Sequence, residues 1–119
     1  MIKRTLPYEA LLHEVVEHNG VLYIGGIVAE DTTLEMAGQA EDVLGQLSRL
    51  LQKVGSNLSN VLQVTIYLTD PGEKAALNSA WTAHFAPAQL PARAVIGVAD
   101  LGAGVKLELT AIAAGKSFS

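Results

Sequence analysis

Two charged residues stand inside otherwise aliphatic stretches of this 119-residue chain: Arg93 within residues 91–99, and Glu108 within residues 105–114. A guanidinium stays charged at any ordinary pH and presents a planar fork of donors, so it can hold a carboxylate through two parallel hydrogen bonds. A glutamate nearby can orient or activate a water molecule. Each residue also has a plainer reading, as a charge reaching solvent from a sheet edge or an exposed face. If instead both line one cleft, they make an anion clamp with a hydrolytic acceptor beside it.

Other chemistries find less support. The chain has no cysteine, which removes disulfides, thiolate nucleophiles and Cys-ligated zinc or iron–sulfur sites, and suits a reducing compartment. His13, His18 and His84 lack metal-ligand spacing, and His13 and His18 fall on opposite faces of a strand. Gly25-Gly26 and Gly102-Ala103-Gly104 match neither phosphate-binding glycine pattern and read as turn or close-packing glycines. No metal and no organic cofactor is expected.

The elements that must position Arg93 and Glu108 follow from periodicity. Residues 12–18 and 21–28 read as strands joined by Asn19-Gly20, the dipeptide suited to a type I′ turn. Thr32-Thr33-Leu34-Glu35 has the form of a capping box, followed by Ala40, Val43, Leu44, Leu47, Leu50, Leu51 and Val54 at helical spacing, with Gly55 as the C-terminal cap. Residues 61–69 alternate, placing Leu62, Val64, Ile66 and Leu68 on one face and Val61, Gln63, Thr65, Tyr67 and Thr69 on the other. Asp70-Pro71-Gly72-Glu73 opens a second helix reaching about Phe85, with Leu77, Ala80, Trp81 and His84 on one stripe. Residues 92–99 and 105–114 read as a final strand pair around a glycine-rich turn, which makes Glu108 the hairpin partner of the Arg93 strand. In the last strand Val105, Leu107, Leu109, Ala111 and Ala113 form an apolar row, and Lys106, Glu108, Thr110 and Ile112 a mixed one.

This order predicts an α+β domain over residues 1–119, with two helices on one face of a mixed sheet. Half of the residues are apolar but only 5% are aromatic, so one small domain must hide much aliphatic surface, and the mixed outer face points to a second copy of the chain. Net charge is −4 and Lys and Arg are not clustered, which argues against nucleic acid. No apolar run is long enough to span a membrane and the N-terminus lacks a signal-peptide core, so a cytoplasmic protein without membrane partners is expected.

The run Leu90-Pro91-Ala92-Arg93-Ala94-Val95-Ile96-Gly97, followed by Val105-Lys106-Leu107-Glu108-Leu109-Thr110-Ala111, resembles the C-terminal signature of the RidA (YjgF) family. Gly20 to Gly26, Val54-Gly55, Val64 to Asp70 and Leu77 to Trp81 extend the similarity to nearly the whole chain. The resemblance implies a chorismate-mutase-like fold with a mixed six-stranded sheet, assembled as a homotrimer with a cleft at each subunit boundary. It further implies hydrolysis of 2-imino or 2-enamino acids, released by pyridoxal-phosphate or flavin enzymes, to 2-oxo acids and ammonia. Arg93 would grip the substrate carboxylate, Glu108 would place the attacking water, and Asn78 would line the cleft. Two hydroxyl positions of the best-known deaminases, a tyrosine and a serine, correspond here to Leu12 and Gly25, which thins the polar half of the pocket. A non-catalytic trimeric binder of small carboxylic acids is the alternative reading, and an endoribonuclease or translation inhibitor is disfavoured by the net charge.

Overall fold

A computed structural model describes residues 1–115. In chain order the elements are strands β1 (Ile2–Tyr8), β2 (Leu12–His18) and β3 (Val21–Val28), helix α1 (Met36–Lys53), strand β4 (Val61–Leu68), helix α2 (Lys74–His84), and strands β5 (Ala92–Gly97) and β6 (Leu107–Ala114). One six-stranded sheet has the order β1-β2-β3-β6-β4-β5, antiparallel except for the parallel β4–β5 pair. The fold is the predicted α+β, chorismate-mutase-like type.

Both helices cover one face. Leu22, Ile24 and Ile27 of β3, Val64, Ile66 and Leu68 of β4, and Leu107, Leu109, Ala111 and Ala113 of β6 meet Val43, Leu44, Leu47 and Leu51 of α1 and Leu77 and Trp81 of α2 in a single core. The even row of β4 and the odd row of β6 do face the same way, since Val64 pairs with Ala111, Ile66 with Leu109 and Leu68 with Leu107. Among the described residues no helix covers the opposite face, where Tyr23 and Ile96 are exposed. A hollow of about 180 Å³ on that face is bordered by Tyr23, Gln63, Thr65, Thr110 and Ile112.

Local chemistry sets the joints. Asn19 and Gly20 both have positive φ (52° and 76°), as a type I′ turn requires. Helix α1 ends in a Schellman arrangement: Gly55, at φ 79°, donates to the Gln52 carbonyl, and Ser56 N–H donates to Leu51 O at 2.8 Å. Gln39 is fully buried. Its amide donates to Leu34 O (2.9 Å) and Gly104 O (2.8 Å) while its oxygen accepts from Lys106 N–H (2.9 Å), which ties the start of α1 to the loop that delivers β6.

Four expectations are corrected. The capping box does not form: α1 starts at Met36 with no side-chain cap, and Asp31 instead accepts from Thr33 in a local turn, which holds the Asp31 carboxyl below its ordinary pKa. Periodicity did not reveal β1, an edge strand carrying Lys3, Arg4 and Pro7, residues that blunt edges and break an apolar alternation. The 61–69 alternation breaks at its start, because a register shift between Val61 and Gln63 turns Val61 into the core and leaves Leu62 exposed. Finally, β5 and β6 are not a hairpin: β4 lies between them.

Candidate active site

Arg93 lies on β5, an edge of the sheet. Its register partner Val64 is fully buried, so Arg93 projects toward the helix layer. There its guanidinium carbon stands 4.9 Å from the centroid of the Trp81 ring. Trp81 is itself pinned in the core, with a tilted contact to Phe85 at 4.4 Å between centroids. Arg93 is exposed, and among the described residues it forms neither an ion pair nor a side-chain hydrogen bond. Of its neighbours on β5, Ala92 and Ala94 point to the other face and Val95 shares its own, so the strand itself gives Arg93 little aliphatic cover. Asn78 lies on the same helix as Trp81, three residues earlier, with its side chain exposed.

Glu108 is built differently. It pairs with Tyr67 on one side and Val28 on the other, in the row that faces away from the helices. Opposite Thr110, β3 spends two residues, Gly25 and Gly26, where β6 spends one, and this bulge keeps both Ile24 and Ile27 in the core. It also leaves a bare backbone patch at Gly26 on which the Glu108 side chain rests. A Cβ on Gly26 would collide with Glu108 Oε2 and stand 3.1 Å from its carboxyl carbon. Gly25 backs onto the carbonyls of His13 and Glu14, at 3.7 and 3.8 Å from where its Cβ would stand. Leu12 begins β2 and is half exposed beside its register partner Tyr8. The Tyr8 phenol is raised above its ordinary pKa by the hydrogen bond and charge of Glu9.

Within one protomer, then, the predicted site is in two pieces. Arg93 and Glu108 sit on opposite faces, two strands apart, and their register rows differ by three residues, so each offset is about 10 Å. Leu12 is four strands from Arg93, about 19 Å across the sheet. The structure groups Arg93 and Trp81 at one edge, with Asn78 one helical turn from Trp81, and groups Glu108 with Gly26 on the open face, while Gly25 backs onto β2 and Leu12 lies at the start of that strand. A cavity of about 690 Å³ opens elsewhere, between β1 and the end of α1, bordered by Lys3, Thr5, Gln52 and Gly55.

The family model described as Endoribonuclease L-PSP matches residues 2–115. The chain belongs to the YjgF/RidA family. A RutC family protein of Haemophilus influenzae is 39% identical over 113 residues, 94% of this chain and 97% of that relative. A solved Pseudomonas aeruginosa protein superposes with a TM-score of 0.90 at 31% identity, covering 97% of this chain and 99% of that one. NMB1025 of Neisseria meningitidis, a YjgF family member, gives a TM-score of 0.88 at 32% identity, covering 97% and 95%. What sequence reasoning missed is what holds Arg93 and Glu108. Trp81 reads only as one residue of a helix stripe, and Gly26 only as a close-packing glycine. Tyr8, paired with Leu12, fell in a segment not read as a strand. The i, i+4 aromatic pair Trp81/Phe85 just before a Pro-Ala-Arg strand is the signal that could have pointed to the first of these.

Proposed function

We propose that this protein is a homotrimer that hydrolyses small 2-imino or 2-enamino acids to 2-oxo acids and ammonia, in clefts shared between subunits. The observation that carries the reading is the division of the site: an uncompensated guanidinium on an edge strand and a glycine-seated carboxylate on a helix-free face, which neighbouring copies can bring together. The exposed Tyr8, Leu12, Tyr23 and Ile96 supply apolar surface for such a contact. Family membership supports a small-molecule deaminase or a related role.

In this reading Arg93 holds the substrate carboxylate through two hydrogen bonds and fixes the imine carbon beside Glu108 of the adjoining copy. Glu108 accepts a proton from water as the water oxygen bonds to the imine carbon. That proton passes to nitrogen to give a carbinolamine; Glu108 then takes the carbinolamine's hydroxyl proton and delivers it to nitrogen, the C–N bond breaks, and ammonia leaves as the C=O bond forms. No redox partner is needed.

An amino-acid oxidase supplying fresh imines, with ammonia and 2-oxo acid timed with and without the protein, tests the reaction. Faster release supports it, and an unchanged rate with intact binding of 2-oxo acids leaves a trimeric carboxylate binder. That second reading is favoured by Leu12 and Gly25, which bring no hydroxyl to the pocket. Light scattering that returns a stable 12.5 kDa monomer removes the shared cleft altogether. Endoribonuclease activity fits poorly with the net charge of −4, and salt-dependent RNA binding is the result that restores it.

A further inference from the structure

We infer that Trp81 is the positioning residue for the anion clamp, orienting Arg93 for a substrate carboxylate and reporting the occupancy of the site through its own emission. The inference rests on the carboxylate-binding reading above and adds to it the means by which the clamp is made ready.

A free arginine side chain carries about 2 kcal/mol of rotamer entropy, much of which a substrate must freeze out before it gains a two-pronged contact. Here the fork is already laid down. Its carbon is 4.9 Å from the Trp81 ring centre, within reach of a cation–π contact, and indole is the side chain that makes the strongest one. The ring cannot follow a wandering guanidinium, because Trp81 is only 5% exposed and is fixed against Phe85 at 3%. No carboxylate among the described residues competes, since the salt bridge there joins His84 to Glu41. A contact made by the guanidinium carbon over the ring does not consume the N–H groups, and those are the groups a carboxylate needs. The arrangement supplies orientation without neutralising the charge, as an ion pair to an aspartate would.

Trp81 is the chain's one tryptophan, so its fluorescence is an unmixed signal. Pyruvate and 2-oxobutanoate serve as probes on the intact oligomer, with affinity read by calorimetry and emission read in parallel. Trp81→Leu is expected to weaken affinity about tenfold and Trp81→Phe about threefold or less, because phenylalanine keeps a π face. Saturating pyruvate is expected to shift wild-type emission, and Arg93→Ala is expected to abolish the shift while melting like wild type. Trp81→Leu binding with wild-type affinity, or wild-type emission unmoved at saturation, overturns the inference while leaving Arg93 as the clamp. Failure of the wild type to bind either acid overturns the clamp and this inference together. If Trp81→Leu does not fold, Trp81→Phe and the emission arm decide: Trp81→Phe weakened well beyond threefold while still folded counts against a π contact.

Discussion

The β5 edge and the open face of β3 and β6 each present one ionisable group, by opposite means. At the edge, Arg93 is supported by a buried aromatic pair and keeps its charge accessible. On the open face, Glu108 is supported by the lack of a side chain, lying on the bulge where Gly26 leaves room. One group is oriented by what is added beside it and the other by what is left out. The two supports also belong to different layers, Trp81 to the core and Gly26 to the outer face.

The sharpest way to break this comparison is to remove the carboxylate chemistry alone. Glu108→Gln keeps the shape and loses the proton acceptor, so turnover should fall about 10² to 10⁴-fold while 2-oxo acid affinity stays within a few-fold of wild type. Equal turnover in steady-state assays returns Glu108 to a structural role. Arg93→Ala should act on the other axis, weakening carboxylate binding by about 30-fold to several thousandfold in calorimetry with the oligomer intact. Arg93→Lys should recover only part of this, since an ammonium cannot make the parallel pair of bonds.

Co-expression of those two variants tests whether the halves come from different copies. In trimers mixed at random, about a quarter of the clefts combine an intact Arg93 with an intact Glu108, so activity should return to about that fraction of wild type. A mixture as inactive as its components means both residues serve one site from one chain. The mildest expected effect belongs to the support: Gly26→Ala should displace the Glu108 carboxylate and lower turnover about tenfold, with binding retained, whereas Gly25→Ala, in ordinary contact with its neighbours, should cost less. Wild-type turnover in Gly26→Ala shows that the seat does not matter.

Much of this was legible in the residues themselves. Arg93 and Glu108 stood out as charges inside aliphatic strands, and Asn19-Gly20 and Gly55 marked their joints because positive φ leaves few residue choices. The core rows of β4 and β6 followed from alternation except at Leu62, where a bulge, invisible to a period of two, reverses the faces. The pairing of β5 with β4 could not be read, because periodicity says which side chains share a face but not which strand lies alongside. For the same reason the opposite orientations of Arg93 and Glu108 emerged only from the register. Stacking of Arg93 on Trp81 depends on a crossing between helix and sheet that no local spacing encodes.

The placement of β6 also bears on how the chain is made. It is the last described strand to leave the ribosome, yet it is hydrogen-bonded on both sides, to β3 and to β4. Until it emerges, the nascent chain holds two separate fragments, β1-β2-β3 and β4-β5, each with an open inner edge, and the helices α1 and α2 lack the β6 row that they pack on. Closure is therefore a single late event that joins distant parts of the sequence, the kind of step that slows folding. A message broken after β5 should yield aggregating chains rather than a destabilised fold, because such chains lack the strand that turns two half-sheets into one.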